Sequence, residues 1–395
     1  MPEAYFNGGS INGFTANTAP IFLPNAVGGY MPAKAATYDK KGFGSNADKP
    51  NAIVTALSKG YVVASVGARG RTLEKDGKYT GKAPAAIIDL KSAVRYLHFN
   101  DQRMAGDANK IISNGTSAGG ALSALLGASG DHRDYNADTA YEWEFNGLNQ
   151  FSRIDMSRLS ATGYNDRSQS KPRIEGELTA DQIKTSHELK AAFPAYVNSL
   201  NLKDEKGNLL TLDKEGNGSF KEYVKQVIVR AADTAHKNGT NLSDKSWLTL
   251  SKDGVADMDW NGYIHSEKRM KSPPAFDAFD LSSGENNLFG TETVNNQHFT
   301  SYALERSTAK GGMADAHIIK MMNAMNYVEN PKAAEHWRIR VGTSDRDTSH
   351  AISAILAIKL NMAGKQVDYE TPWGVPHAGD YDLDELFKWA DSIAK

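Results

Sequence analysis

A serine between two glycines gives the sequence its clearest sign of chemistry. Residues 111–130 read IISNGTSAGGALSALLGASG, with the pattern G-x-S-x-G around Ser117. In hydrolases this pattern places a nucleophilic serine on a sharp turn from a strand into a helix, where only small flanking residues avoid a collision. A short apolar run precedes the pattern here, and small and apolar residues follow it. The pattern therefore predicts Ser117 as a nucleophile, with the first amides of the following helix available to stabilise an oxyanion.

A serine of this kind needs an acid and a histidine further along the chain, in the order Ser, Asp or Glu, His. Of the ten histidines, His377 is the one that lies in a loop after the final predicted strand, in TPWGVPHAGDY. The acid should follow the preceding strand, where TSDRDTS offers Asp345 and Asp347. One of them should hold the imidazole in the correct tautomer. The residues alone do not choose between the two, since Asp347 is also well placed to cap the helix that begins near Ser349.

Strand and helix patterns alternate around these residues. The predicted strands cover residues 20–25, 61–70, 110–115, 336–342 and 366–372. The predicted helices cover residues 51–60, 84–100, 117–128, 313–328, 349–364 and 382–394. Such alternation is typical of a mostly parallel sheet with helices on both faces. The sequence therefore predicts the α/β class.

The character of the chain changes from about residue 147, between Ser117 and Asp345. Residues 160–310 are polar and rich in turn residues, with amphipathic helix patterns at 179–198 and 219–237. An insertion between two strands of such a sheet ends above the active site, where it can shape a pocket. We therefore predict three parts, namely a first core part at 1–146, an inserted cap at 147–312 and a second core part at 313–395.

Composition excludes several classes of function. A chain of 395 residues with a net charge of −2 and no basic cluster does not predict nucleic-acid binding. The lack of cysteine removes disulfides, thiolate catalysis and Cys-ligated zinc. The printed start shows no signal peptide, and no apolar stretch approaches the length of a membrane span. We therefore predict a cytoplasmic chain without membrane contact, unless residues precede the printed start. Oligomeric state is not predictable from these features.

One segment resembles a calcium-binding loop. Residues 257–268 read DMDWNGYIHSEK, which places acidic, amide and glycine residues as an EF-hand would. The twelfth position is Lys268, where calcium needs a bidentate glutamate. We therefore predict a turn here and no metal, and the chemistry proposed for Ser117 needs no cofactor.

Several stretches together resemble a known family. They are residues 20–32 (PIFLPNAVGGYMP), 65–72 (SVGARGRT), 82–96 (KAPAAIIDLKSAVRY), 106–130, 141–147 (YEWEFNG), 343–349 and 372–383 (PWGVPHAGDYDL). This combination resembles the bacterial tannases and their feruloyl-esterase-like relatives, which have the α/β-hydrolase fold. It is far more specific than G-x-S-x-G alone.

The resemblance implies roles for residues that the pattern arguments left open. It implies a triad in which Asp345 orients His377 and His377 activates Ser117. It also implies an oxyanion hole formed by the backbone amides of Gly29 and Ala118.

The resemblance further implies that Lys271, Glu285 and Asp347 bind the hydroxyls of a galloyl group. Carboxylates accept hydrogen bonds from phenolic hydroxyls, and lysine donates or offsets charge. The implied function is a serine esterase that cleaves gallate esters of hydrolysable tannins and small alcohols, so the expected partner is a small phenolic ester. The alternatives are a feruloyl or other hydroxycinnamoyl esterase with the same triad, a phenolic-binding relative with impaired catalysis, and acyl transfer to an alcohol.

Two departures from the family pattern predict missing strands. Family members begin with additional strands before the region that matches MPEAYF, at residues 1–6. They also have an apolar strand between the helix after the serine and the YEWEFNG motif, whereas here the connection after residue 130 is short and polar. We expect a gap or a re-routed edge beside the nucleophile strand, with stability and activity reduced.

Overall fold

Parallel strands form the sheet in the first part of the chain. The computed structural model describes residues 1–39, 50–135, 158–160, 175–268 and 271–395. The strands in chain order are β1 (Pro20–Asn25), β2 (Val62–Val63), β3 (Glu74–Lys75), β4 (Lys78–Tyr79), β5 (Asp107–Gly115), β6 (Arg158–Ser160), β7 (Glu175–Glu177), β8 (Leu248–Ser251), β9 (Gly254–Met258), β10 (His336–Arg340) and β11 (Gln366–Glu370). The α-helices are α1 (Ala52–Ser58), α2 (Ala85–Asn100), α3 (Ala118–Ser129), α4 (Ala180–Ser199), α5 (Ser219–Lys237), α6 (Trp260–Glu267), α7 (Gly284–Leu288), α8 (Ser301–Glu305), α9 (Ala316–Met321), α10 (His350–Met362) and α11 (Leu383–Ala394).

Strand β1 lies at the centre of a parallel three-stranded sheet, with β2 on one side and β5 on the other. All six residues of β1 are buried, as expected for a parallel strand that is covered on both faces. Asn25 at the end of β1 is paired with Gly115 at the end of β5. Strands β1 and β5 therefore end at the same edge of the sheet, and Ser117 lies just beyond the end of β5.

A second parallel pair is formed by β10 and β11, which run in register from the pair His336 and Gln366 to the pair Arg340 and Glu370.

In the described ranges β5 is the outer strand of its sheet, and most of its residues are only partly buried. The connection in which we predicted a missing strand runs into residues 136–157, which lie outside the described ranges. The missing strand therefore stays a prediction.

Helices cover the sheet where apolar residues recur at helical spacing. In α11, Phe387 is fully buried and packs against Phe22 of β1 and against Tyr61, with ring centroids 5.2 Å and 5.4 Å apart. In α3, Leu122 and Leu125 are buried. The ring contacts pack α11 against β1, and the buried leucines anchor α3, the helix that begins directly after the predicted nucleophile.

Most of the predicted elements are confirmed within one to three residues at each end, including α4 and α5. The β-rich segment 61–70 was predicted to end in a loop, and it does so after the two residues of β2. One prediction is wrong in part. The helix predicted over 313–328 is broken into α9 and a 3₁₀ turn, because the side chain of Asn323 accepts the amide of Met325 and starts a new cap there.

The segment that resembled a calcium loop, residues 257–268, forms the end of β9 and the whole of α6. Asp259 is the N-cap of α6, and its carboxylate accepts the amides of Asn261 at 3.1 Å and Gly262 at 3.0 Å. Asp259 therefore forms an Asx turn that caps a helix, whereas the rest of the segment is mostly helix and not the predicted turn. Among the helices in the described part of the chain, none combines the length and apolar character that a membrane crossing requires.

Candidate active site

Ser117 lies on a tight turn between β5 and α3 and is exposed to solvent. Its φ of 58° and ψ of −125° are a conformation that non-glycine residues rarely adopt. A Cβ on Gly115 would lie 2.3 Å from the carbonyl oxygen of Gly119. A Cβ on Gly119 would lie 2.8 Å from the oxygen of Val27 and 2.9 Å from that of Asn25. The turn therefore requires both glycines of the motif, and it holds a strained backbone of the kind found at functional sites.

The end of β1 fixes the start of α3. The buried side chain of Asn25 donates to the carbonyl of Gly119 at 2.9 Å and accepts the amide of Val27 at 3.2 Å. Ala118 is the first residue of α3, so its amide has no acceptor within the helix. This amide, which we predicted as an oxyanion donor, is thus held beside the loop that follows β1.

Gly29, the second predicted oxyanion donor, lies in that loop. The amide of Met31 donates to the carbonyl of Gly28 at 3.0 Å, and Gly29 and Tyr30 have φ values of 56° and 54°. Two positive φ values in the centre are those of a type I′ turn. Arg71 fixes this turn, since its Nε donates to the carbonyl of Gly29 and its amide to the carbonyl of Tyr30, both at 2.8 Å.

The structure distinguishes the two acids that the sequence left open. The Nδ1 of His377 is 2.9 Å from the Oδ2 of Asp345. The other oxygen of Asp345 accepts the amides of Asp347 at 2.8 Å and Thr348 at 3.1 Å. Asp347 is not the helix cap, because Ser349 caps α10 with its own side chain. Asp345 is thus the acid that the fold places on the imidazole.

The charge around His377 favours its protonated form. Burial works to lower the pKa of His377, but the hydrogen bond and negative charge of Asp345, together with the charge of Asp347, outweigh it. The pKa of His377 therefore lies above its ordinary value. A raised pKa makes the neutral imidazole a stronger base, and the ring must be in that neutral form to accept a proton.

Backbone hydrogen bonds join the loop after β10 to the loop after β11. The amide of Thr343 donates to Pro372 at 2.9 Å, that of Ser344 to Val375 at 3.1 Å, and that of Gly374 to the Thr343 hydroxyl at 2.7 Å. These bonds hold Asp345 and His377 in one rigid unit.

The His377 loop also lies against the turn that carries Ser117. A Cβ on Gly379 would lie 1.8 Å from the hydroxyl oxygen of Thr116, so the backbone at Gly379 packs directly against the Thr116 side chain. The fold therefore brings together the ends of β5, β10 and β11, where we predicted the nucleophile, the acid and the base.

An ion pair extends from the imidazole toward the predicted cap. The Nε2 of His377 is 3.5 Å from the Oδ2 of Asp347, whose Oδ1 is 3.0 Å from the Nζ of Lys271. The side chains of Lys271 and Asp347 are only 7% and 16% exposed. The ammonium group also lies 4.3 Å from the centre of the Phe276 ring. Lys271 and Asp347, both predicted to bind hydroxyls, are thus in direct contact.

Glu285 lies in the first turn of α7, and its Oε2 is buried with no hydrogen-bond partner among the described residues. Burial raises the pKa of Glu285, and the positive charge of Lys271 opposes this only in part. The hydroxyl of Tyr30 is likewise buried without a described partner, and burial and then the charge of Glu285 raise the pKa of that hydroxyl. Buried polar atoms without partners are costly and commonly mark a site for a ligand or water.

A second serine–histidine–aspartate cluster has a different environment. The ring of His298 is 2.7 Å from Asp277 and 2.8 Å from the hydroxyl of Ser307. His298 and Asp277 are fully buried, and Asp277 also accepts the amides of Phe299 and Thr300. This cluster fastens buried segments to each other and is closed to an ester.

Sequence reasoning missed two residues that support the site. Arg71 was part of a matched stretch, but its side-chain partner Asn287 is 216 positions away, beyond the reach of any local pattern. Tyr263 of α6 donates to the carbonyl of Thr343, near Asp345. Nothing in the segment around Tyr263 indicated that contact.

A parallel sheet, a strained serine turn and an aspartate–histidine pair at the strand ends are features of an α/β-hydrolase. A family model named BD-FAE matches residues 36–200. The crystal structure of Fusobacterium nucleatum tannase is 48% identical with a TM-score of 0.92, and the match covers 100% of this chain and 90% of that one. The tannin acyl hydrolase from Lactobacillus plantarum is 40% identical with a TM-score of 0.92, covering 100% and 89%. A tannin acyl hydrolase in complex with ethyl gallate is 39% identical with a TM-score of 0.91, with the same coverage.

The chain belongs to the tannase family, because these identities extend over its full length. A search of curated proteins gave no match.

Proposed function

We propose that this protein hydrolyses galloyl esters through a triad of Ser117, His377 and Asp345. The strongest support for this proposal is the series of contacts from His377 to Asp347 and from Asp347 to Lys271. It joins the predicted base directly to the residues predicted to bind the phenolic hydroxyls. An acyl group held by its hydroxyls at that end would place its ester carbonyl near the serine turn.

In the first half of the reaction, the Ser117 hydroxyl attacks the ester carbonyl and its proton passes to Nε2 of His377. The carbonyl oxygen becomes an oxyanion that accepts hydrogen bonds from the amides of Gly29 and Ala118. When the tetrahedral intermediate collapses, the alcohol leaves with the proton from His377, and the galloyl group stays on the serine as an ester.

In the second half, water takes the place of the alcohol. His377 accepts a proton from the water as it attacks the galloyl ester, and then returns a proton to the Ser117 oxygen as gallate leaves. Asp345 holds Nδ1 of the ring throughout, which keeps Nε2 free to exchange protons and stabilises the imidazolium.

Recognition of the acyl group rests on Lys271, Glu285 and Asp347. Carboxylates accept hydrogen bonds from vicinal phenolic hydroxyls, and the lysine balances their charge. The buried Oε2 of Glu285, which has no partner among the residues that the structure describes, would gain one in the complex. The related structures with ethyl gallate and with 3,4-dihydroxybenzoate, both ligands with vicinal hydroxyls, support this role.

Ferulate differs from gallate at the ring positions that matter. Its methoxy group has no proton to donate, so one carboxylate oxygen would remain unpaired in the complex. A site built to bond a substrate hydroxyl rejects an analogue that lacks it by roughly 10⁴-fold or more. We therefore expect methyl gallate to be strongly preferred over methyl ferulate, and over methyl benzoate most of all.

The test is a panel of these three methyl esters with the wild type, Ser117→Ala and the control Ser392→Ala. Ser392 is exposed near the end of α11, and its hydroxyl donates to the carbonyl of Trp389 within the same helix. We expect hydrolysis of methyl gallate by the wild type and Ser392→Ala, with none by Ser117→Ala, which should still bind gallate.

Other outcomes would point to the alternatives. Equal or better turnover of methyl ferulate would favour a hydroxycinnamoyl esterase. Gallate binding without release of methanol would favour a phenolic-binding protein. Activity that survives Ser117→Ala would overturn the mechanism.

A further inference from the structure

Arg71 connects two parts of the site that are far apart in the chain. Its side chain is buried, with a residue exposure of 3%. The Nε donates to the carbonyl of Gly29 at 2.8 Å, and Nη1 donates to the side-chain oxygen of Asn287 at 3.2 Å. The backbone amide of Gly29 is itself the predicted oxyanion donor of this turn. Asn287 lies in α7, two residues after Glu285. One guanidinium group therefore contacts both the turn that carries the predicted oxyanion donor and the helix that carries Glu285, the residue predicted to bind phenolic hydroxyls.

The α7 end of this connection is itself fixed. The buried Lys82 donates from Nζ to the carbonyl of Asn287 at 2.8 Å and to the carbonyl of Asn295 at 2.9 Å. The side-chain Nδ2 of Asn287 donates to the side-chain oxygen of Asn295 at 2.6 Å. The amide of Ala83 donates to the carbonyl of Leu288 at 2.9 Å. Since several hydrogen bonds hold Asn287 in place, its contact with Arg71 can fix the position of the guanidinium relative to α7.

The fit around the guanidinium is close. A Cβ on Gly284, the first residue of α7, would lie 3.0 Å from the Nη2 of Arg71. The backbone amide of Arg71 holds the carbonyl of Tyr30, so main chain and side chain of the same residue fix both central residues of the turn. Gly29 and Tyr30 both have positive φ, and Tyr30 has no intrinsic preference for that conformation.

We propose that Arg71 is a positioning residue that sets the oxyanion amide of Gly29 relative to Glu285, and so couples recognition of the acyl group to stabilisation of the transition state. The inference rests on the proposed function. A planar guanidinium presents its donors in fixed directions, whereas the single ammonium group of lysine on a flexible stem does not. Arg71→Lys should therefore keep the charge but lose the alignment.

The experiment compares Arg71→Met and Arg71→Lys with the control Arg69→Met, on methyl gallate and on 4-nitrophenyl acetate. Arg69 lies in the same loop, but it is 43% exposed and paired with Asp89 on the surface. The acetate ester uses the oxyanion hole without any phenolic hydroxyl. All rates are measured well below each variant's melting temperature, so that only folded protein contributes.

Loss of one oxyanion donor costs roughly 10²–10³ in kcat, and a displaced donor should cost a part of that, roughly 10–100-fold. We expect Arg71→Met to lose this much kcat on both esters, with little change in KM for 4-nitrophenyl acetate. Arg71→Lys should lie between Arg71→Met and wild type, and Arg69→Met should equal wild type. In Arg71→Ala, millimolar guanidinium chloride should restore part of kcat, and sodium chloride at equal ionic strength should not.

A lower melting temperature with unchanged kcat on both esters would show that Arg71 is only structural, and would overturn the inference. Absence of guanidinium rescue in a folded, impaired Arg71→Ala would do the same. A wild type active on 4-nitrophenyl acetate but inactive on methyl gallate would contradict the proposed function, and with it the recognition half of this inference. Loss of kcat in Arg71→Met on the acetate ester would then still support its effect on the oxyanion turn.

Discussion

The ion pair between Lys271 and Asp347 should stabilise the folded protein far more than a surface pair of equal length. Its atoms are 3.0 Å apart, and its side chains are 7% and 16% exposed. Coulomb's law at an effective dielectric of about 20 gives an attraction of about 5 kcal/mol at that distance, before desolvation is subtracted. Desolvation offsets a large part of it, so we expect a net coupling of about 1–3 kcal/mol.

The measurement is a double-mutant cycle in urea at pH 7 with Lys271→Met, Asp347→Asn and the double variant. Methionine keeps a flexible, polarisable contact with the ring of Phe276, so the cycle isolates the charge. Each single variant should lose stability, because a nearly buried charge is left without its partner. The double variant should lose less than the sum of the single losses.

The matched control is the pair Lys388 and Glu385, which is also 3.0 Å long but 75% and 62% exposed. Water screens this pair, so its coupling should stay below about 0.5 kcal/mol. Additive losses at Lys271 and Asp347, or a coupling no larger than in the control, would refute the view that this pair is held as a preformed, dehydrated part of the site.

Three further predictions follow from the site. Burial raises the pKa of Glu285, so its contribution to stability is full below the ordinary pKa of glutamate and is lost as pH rises toward the folded-state pKa. Glu285→Gln should therefore melt higher than wild type at neutral pH yet turn over methyl gallate less efficiently, and a lower melting temperature would contradict this. Asp345→Asn should lower the pKa of His377, followed by NMR of the ring, because Asp345 supplies the bond and charge that raise it; an unchanged pKa would refute that cause. Gly379→Ala should reduce kcat roughly 10-fold or more, because the new Cβ would meet the Thr116 hydroxyl and displace the His377 loop, and wild-type kcat would show that the loop adapts freely.

Local signals account for the part of the site that was predictable. The turn around Ser117 depends on glycines within two residues of the serine, so the sequence pattern contains the whole requirement. His377 followed from chain order alone, because a histidine after the last strand must lie at the same sheet edge. In the structure its Nδ1 lies 2.9 Å from Oδ2 of Asp345, the contact that this prediction requires.

Long-range contacts account for the rest. Asp345 and Asp347 share one loop, and only the fold decides which oxygen meets Nδ1. Arg71 was missed because its meaning depends on Asn287, in a distant segment. The helix predicted over 313–328 failed for a local reason, since apolar periodicity outweighed the capping ability of Asn323 in the prediction.

The proposed mechanism requires Ser117 to carry the galloyl group during turnover. The most direct measurement is acid quenching during hydrolysis of methyl gallate, followed by peptide mass mapping of the trapped protein. We predict a galloyl adduct on the peptide that contains Ser117, with none in Ser117→Ala. Steady hydrolysis with an adduct on another residue, or an equal adduct in Ser117→Ala, would contradict the account.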